Sequence, residues 1–445
     1  MAFASGPVPP IGGHSLFLFL LQVALLLLLA LLMGRLAARV SLPPIVGELL
    51  TGIVLGPSLL GNVAPDWFAW LFPPRTEQFH LLDAFGQIGV LLLVGMTGLS
   101  LDLKLIRKRG STAAKVSLPG LVIPLALGVA AGFLVPPALL AENSHRAVFA
   151  VFLGIAMCVS AIPVIAKTLI DLKLLHRNVG QLILISGTVD DIFGWLGLSI
   201  VTAMATTGVQ AGGIARSVGF LALFLVVAFV IGRPLVRAAV RVTAKSAESG
   251  PTISVAVVIV LLTSAGSHLL GLEAVFGALV AGMLIRNAGH GVVERLTPLR
   301  TLVMTVLAPV FFAMAGLRMD LSALAQPTVL LAAVVLLLIA IVGKFAGAFL
   351  GAWASGLNRW EALAIGAGMN ARGVVEVVVA MVGLRLGVLS TEMYTIVVLI
   401  AIVTSLMSPP ILRMAAARIE VTAGERLRLS EYESPSRQQP AVDHA

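Results

Sequence analysis

The sequence predicts an all-α, polytopic membrane protein of about 13 transmembrane helices. Three observations carry that expectation. Apolar runs of membrane-spanning length recur from end to end, basic residues collect in alternate loops, and the few ionisable residues inside the runs are clustered. Of the 445 residues, 59% are hydrophobic and 11% are charged, whereas a soluble domain is ~25% charged.

A hydrocarbon core of ~30 Å takes about 20 residues of helix. By that measure the spans fall at 15–39, 43–61, 80–102, 111–135, 146–171, 177–206 and 213–242. They continue at 250–270, 273–289, 295–317, 326–355, 358–386 and 390–416. The formal net charge of +9 reads as loop topology and not as a nucleic-acid surface. With the N-terminus outside, the cytoplasmic ends hold Arg35, Arg39, Lys104, Arg107, Lys108, Arg109, Lys173, Arg177, Arg233, Arg237, Arg241, Lys245, Arg286, Arg295, Arg300, Arg359 and the arginines from Arg413 on. Outer ends hold Arg75, Arg146, Arg216, Arg318 and Arg385. One missed or extra helix would scramble this alternation, so the count and the orientation support each other.

The organisation expected is a leader over 1–14, a membrane domain over 15–418 and a short disordered cytoplasmic tail over 419–445. The N-terminus lacks the basic region of a signal peptide. Cys158 is the only cysteine, which excludes an intrachain disulfide and a cysteine-type metal site. No nucleotide fingerprint, metal cluster, nucleophile elbow or phosphate loop occurs, so neither an enzyme nor a cofactor is expected. Trp67 and Trp70 read as interfacial anchors, and His268 as an interfacial histidine.

The chemistry lies inside the spans. SGTVDDIFGWLG (186–197) places Asp190 and Asp191 midway along a helix. Lys344, Arg372, Glu376 and Lys167 are also within spans. A central Asp, Lys or Arg costs ~2.5–3.5 kcal/mol on insertion, so such groups pair or line a wet cavity, and they read as functional by default. Adjacent helical residues point ~100° apart, so one aspartate faces a cavity while the other faces a neighbouring helix. Lys344 sits among Gly343, Gly347, Gly351, Ala346, Ala348 and Ala352. Small residues let helices approach closely, which brings its ammonium toward Asp190. Arg372 and Glu376 are four apart and form a local ion pair. Lys167, within about a turn of a helix end, snorkels.

Two spans carry interruption signals. CVSAIPVIAKT (158–168) has Pro163 mid-span, and GAGMNARGVVE (366–376) has Asn370 and Gly373 there. Proline removes a backbone donor, glycine permits an unwound turn, and freed backbone groups are tolerated at this depth only inside protein or facing water. As the fifth and twelfth helices the two run antiparallel, as in an inverted repeat whose broken helices cross near the midplane and aim their ends at an ion.

These stretches resemble a known family. PPIVGELLTGIVLGPSLLG (43–61), IGVLLLVGMTGLSLDL (88–103), LAPVFFAMAGLRMDL (307–321) and GMNARGVVEVVVA (368–380) are similar to segments of the second family of monovalent cation:proton antiporters, of the sodium/proton exchanger type. The resemblance runs from Pro43 to Pro410. It implies the sodium/proton antiporter fold, a homodimer, and exchange of a monovalent cation for protons by alternating access. Asp191 matches the essential aspartate that binds cation and proton, Asp190 its neighbour, and Lys344 the lysine paired with that neighbour. Val159, Ser160, Ala161, Ile162 and Pro163, with Met369 to Gly373, match the crossing unwound segments. Ser100 stands where the family commonly has a glutamate.

The expected mechanism is competition for one carboxylate. A free aspartate has a pKa of ~3.9 and burial raises such groups by up to ~3–5 units, so a desolvated Asp191 would exchange protons near neutral pH. A monovalent cation, with sodium favoured and potassium or lithium as alternatives, expels the proton. Asp191, Asp190, Ser160 and unwound carbonyls are the oxygen ligands expected for it. Release of Lys344 by Asp190 would add a second proton and make the cycle electrogenic. A sodium-coupled symporter of organic solutes or anions is the alternative, and a channel lacks the carbonyl filter or charge ring it would need.

Overall fold

The computed structural model describes residues 11–40, 42–100, 103–142, 144–207, 211–243, 246, 248–289 and 291–426, without the side chains of 103–112, 163, 207, 211, 213, 214 and 217. Residues 1–10 of the expected leader, the loop residue Lys245 and the tail beyond Arg426 therefore lie outside the described residues. So do the side chains of Lys104, Arg107, Lys108 and Arg109.

The named elements are all helical, as they must be where hydrocarbon leaves every backbone group to find a partner within the chain. In order they are α1 (Gly13–Arg39), α2 (Pro44–Leu55), α3 (Leu60–Val63), α4 (Pro65–Leu71), α5 (Thr76–Ser100), α6 (Leu103–Leu134), α7 (Arg146–Cys158), α8 (Ile162–Asp171), α9 (Asn178–Thr207) and α10 (Ala211–Val227). Then come α11 (Arg233–Thr243), α12 (Gly250–Leu269), α13 (Ala274–Arg286), α14 (Val292–Arg295), α15 (Thr297–Leu302), α16 (Ala308–Leu317), α17 (Pro327–Ala354), α18 (Arg359–Met369), α19 (Val374–Arg385) and α20 (Thr391–Ala416).

Among the described residues 10 helices are long and apolar enough to cross a membrane, or 11 if the bent pair α18 and α19 is one span. The expected count of 13 is thus not reached by length and composition. Segments 146–171 and 273–289 fall short because α7 and α8 are half-length pieces of a broken helix and α13 has only 13 residues. The segment expected from residue 111 begins earlier, with α6 already helical at Leu103.

The helices pack as two sets. One gathers α1, α2, α5, α12, α13 and α16, and the other gathers α6 to α9 with α17 to α20. α10 and α11 form the long link between them, joined through a π-turn at Ala228–Gly232. A second π-turn, Val303–Leu307, precedes α16. Each lies just before a proline, Pro234 or Pro309, whose ring clashes with the preceding turn and is accommodated by the wider one. In the second set α17 lies against α6 along Gly343, Gly347 and Gly351. A Cβ on Gly347 would sit 2.5 Å from the Pro119 carbonyl oxygen, and one on Gly351 2.5 Å from that of Lys115. This close approach carries Lys344, on the next position of α17, into the interior, where it is fully buried.

Outward faces suit lipid. Leu20, Leu28, Leu32 and Leu36 of α1, and Leu331, Val335, Leu338 and Val342 of α17, are exposed. Trp67 and Trp70 project from the short helix α4, which fits the interfacial role expected of them. The segment after α20, expected to start the disordered tail at 419, is instead held down as far as the described residues run. Arg177 donates to the carbonyls of Ile419 and Glu420, and Glu425 accepts from the Asn178 N–H at the start of α9 at 2.7 Å. Arg418 stacks over Trp360, 4.2 Å from the ring centroid.

Candidate functional site

The site is built where α7 and α18 stop. α7 ends at Cys158; Val159 and Ala161 are extended, and α8 starts at Ile162 with Pro163 in its first turn. There the missing proline N–H removes no helical bond. α18 ends at Met369 and α19 starts at Val374, bent by 41° from it. Gly373 makes that bend. Its φ of 153° is a conformation that side chains oppose, and a Cβ there would meet Val164 at 2.7 Å. The two unwound segments cross in contact. Ala161 N–H donates to the Ala371 carbonyl at 3.1 Å, and Ser160 Oγ to that of Met369 at 2.8 Å.

Helix ends broken inside a membrane expose carbonyls that need donors. Arg372 supplies them for α7, donating to Ala156 at 2.8 Å and Met157 at 2.6 Å, and also to Ala340 at 3.2 Å. Lys344 Nζ caps the next carbonyl, Cys158. The negative end of the α7 dipole therefore faces two cations. At the other break the carbonyls meet neutral hydroxyls: Ser408 donates to Ala367 at 2.6 Å near the end of α18, and Ser405 donates to the Arg372 carbonyl in the unwound segment. Arg372 also binds Glu376 at 3.1 Å, as the spacing of four predicts. Glu376 lies in the first turn of α19, where the helix dipole favours a carboxylate.

α9 brings the aspartates to this crossing. Its face around Gly187 and Gly194 packs on the break: a Cβ on Gly187 would touch Ile165 at 3.1 Å and one on Gly194 would touch Val159 at 2.7 Å. Asp190 binds Lys344 and lies 3.1 Å from Ser160 Oγ, sharing its one proton with the Met369 carbonyl. Asp191 is fully buried, and neither of its carboxylate oxygens has a hydrogen-bond partner among the described residues. The two neighbours thus have different surroundings, as their 100° separation requires.

Asp190, Lys344 and Ser160 are brought together; Ser160 is bonded to Asp190 and not to Asp191. Val159, Ala161, Ile162, Pro163, Asn370, Arg372, Gly373 and Glu376 all lie at the crossing or its flanks, with both polar atoms of the Asn370 side chain buried and without partners among the described residues. Lys167 is elsewhere, exposed and paired with Asp171 at 2.5 Å. Sequence reasoning passed over Ser405 and Ser408, because a span serine gives no sign of which carbonyl it will cap.

The electrostatics reduce to a count. Three acids (Asp190, Asp191 and Glu376) and two bases (Lys344 and Arg372) are buried here, so with all ionised one negative charge is left over. Four of the five are paired. The excess sits on Asp191, and a buried carboxylate without a partner is stable only with a proton or a cation. Either neutralises it, and the two compete for the same oxygens.

Known proteins resemble this sequence and share this fold. The chain is 32% identical over 400 residues to the Na(+)/H(+) antiporter NhaS4 of Synechocystis, covering 89% of this chain and 97% of that one. It is 30% identical to Cation/H(+) antiporter 17 of Arabidopsis thaliana across 89% of its own length, which is 48% of that longer protein. Among solved structures, the sodium proton antiporter MjNhaP1 of Methanocaldococcus jannaschii matches with a TM-score of 0.67 at 15% identity, over 91% of this chain and 99% of that one, which shows a common fold. Residues 24–417 match the family described as "Sodium/hydrogen exchanger, transmembrane". With crossed broken helices around a lone buried carboxylate, and a match from α1 through α20, the chain belongs to the sodium/hydrogen exchanger family.

Proposed function

We propose that the chain is a secondary transporter that exchanges a monovalent cation, sodium first, for protons by alternating access, with Asp191 as the shared ligand. The observation that carries this reading is the fully buried, uncompensated carboxylate of Asp191 beside a neutralised pair. A bound proton or a bound cation leaves the centre neutral, and the neutral forms are the ones that cross hydrocarbon at lowest cost. Ser160, Asn370 and the carbonyls of the unwound segments are neutral oxygen donors near the crossing, of the kind alkali cations take. The relatives that match this chain are antiporters by name, which favours exchange over sodium-coupled symport of organic solutes.

Asp190 and Lys344 supply the second part of the cycle. When a cation on Asp191 draws Asp190 toward it, the ammonium loses its counter-ion and can release a proton, so two protons move per cation and the cycle is electrogenic. The alternation of basic ends supports a plasma-membrane protein with the N-terminus outside and the C-terminus in the cytoplasm. A homodimer is what the family resemblance implies.

The test is dissipation of a pH gradient in proteoliposomes on adding Na⁺, K⁺ or Li⁺. Wild type should respond to at least one cation, Asp191→Asn to none, and Asp190→Asn should weaken the response. A wild type silent to all three, or an Asp191→Asn variant that still exchanges, would remove the reading.

A further inference from the structure

Outside the aspartate centre, one cavity joins the two helix sets. It has a volume of about 380 Å³ and is lined on one side by Ala38, Pro43 and Pro44 and on the other by Lys167, Asp171 and Arg413, among others. At ~30 Å³ per water, about a dozen waters fit, enough for a cation with its hydration shell. It opens on the basic face. Its α8 wall leads inward: Thr168, which lines it, lies one turn beyond Ile165, the residue packed on Gly187 of α9.

One turn deeper than Pro44, on the same face of α2, stands Glu48. The matching step on α1 runs from Ala38 to Gly34, and a Cβ on Gly34 would lie 3.8 Å from Glu48 Cγ and 3.7 Å from Pro44 Cβ. Glu48 is half-buried within a span and makes no hydrogen bond or ion pair among the described residues. The inward fold and the aspartate centre give it no role. An unpaired carboxylate inside a membrane calls for one. The charges around the cavity show which. Lys167 and Asp171 neutralise each other at 2.5 Å. Arg413, on the same wall, has no hydrogen-bond or ion-pair partner among the described residues and leaves the lining with a net positive charge, which the carboxylate of Glu48, one turn deeper than Pro44, opposes in sign.

We propose that Glu48 recruits the transported cation into the basic-face cavity, on the way to Asp191, and that Arg413 opposes it, the two charges together setting the apparent affinity at this face. The proposal rests on the exchange reading above. A cleft with low-dielectric walls concentrates ions according to its net charge. Glu48→Gln leaves the cavity with an uncompensated positive charge, and Arg413→Gln with a negative one. Neither residue belongs to the aspartate centre, so the turnover step is left in place.

The experiment compares KM and kcat for Na⁺ in right-side-out and inverted membrane vesicles. Glu48→Gln should raise KM about 3–10-fold, Arg413→Gln should lower it, and Glu48→Asp should stay near wild type. The shifts should appear only when the cation is added at the basic face, with kcat changed less than about twofold, and added choline chloride should shrink them. Unchanged KM in both Glu48→Gln and Arg413→Gln, or an equal shift at both faces, overturns the proposal. If Glu48→Gln fails to fold, Arg413→Gln carries the same test with the opposite sign. Failure of the exchange reading itself looks different: wild type is then inactive, or Asp191→Asn active, whatever Glu48 does.

Discussion

Lys344→Met tests the central pair. In wild type the ammonium meets two acceptors, Asp190 and the Cys158 carbonyl, and is fully buried with Asp190. Removing one partner of a buried pair costs ~3–5 kcal/mol because the other charge is left uncompensated. The uncapped Cys158 carbonyl adds ~1–3 kcal/mol. Asp190 can take up a proton and recover part of the first loss, so the net destabilisation expected is ~3–5 kcal/mol. Asp190→Asn strands Lys344 instead and should cost a similar amount. In Asp190→Asn/Lys344→Met neither charge remains, so the combined loss should fall short of the sum by ~2–3 kcal/mol. The assay is unfolding by denaturant in lipid–detergent micelles for all four proteins, read as a double-mutant cycle. A coupling below ~0.5 kcal/mol would show that the two side chains act independently, and the charge count built on their pairing would fall with it.

Other outcomes follow from the same geometry. Arg372→Lys should lose most exchange activity and destabilise by ~3 kcal/mol or more, because a lysine cannot cap Ala156 and Met157 while holding Glu376; the unfolding assay above measures it. Gly373→Ala should destabilise by ~1–3 kcal/mol, since its φ of 153° and the 2.7 Å approach to Val164 leave no room for a methyl; near-wild-type unfolding would contradict it. Beyond the end of α20, burial pushes Glu425 up, but the N–H groups of Asn178 and Thr422 and the guanidinium of Arg177 outweigh it and hold its carboxyl below the ordinary glutamate value of 4.5. Its contribution to docking is therefore present above that value and lost as pH falls through the lowered one. Amides 419–426 should be protected, relative to their intrinsic exchange rate at each pH, near neutrality and unprotected in acid, and Glu425→Gln should leave them unprotected at both.

How much of this could be read beforehand depended on whether the partner was local. The spans followed from composition, and both interruptions from Pro163, Asn370 and Gly373, whose effects on the backbone are their own. Lys344 was readable from the glycines around it, since Gly343, Gly347 and Gly351 dictate how near α6 can come. Arg372 was readable only in part. Its bond to Glu376 is a matter of spacing, whereas its caps on Ala156 and Met157 join residues more than 200 positions apart. Length and composition alone do not reach the count of 13 at α7, α8 and α13 for a similar reason: inside a protein, short helices find partners for their ends that an isolated apolar run would lack. The order of residues 419–426 was hidden because that stretch is polar, and its anchors, Arg177 and Asn178, lie at the start of α9, distant in the chain.

Every group that frames the two aspartates, from Ser117 near α9 to the caps Ser405 and Ser408, belongs to α6 to α9 or α17 to α20. The helices around α1, α2 and α5 donate none of these bonds. A displacement of one helix set along the other would therefore carry the carboxylates without breaking any polar contact at the crossing. The resistance to that displacement would come from the seam between the sets, where Tyr394 donates to the Ala315 carbonyl and Arg385 pairs with Glu273, and from the surrounding acyl chains. Turnover should then track the fluidity of the bilayer, with a break in its temperature dependence where the lipid freezes and a smooth course where it does not.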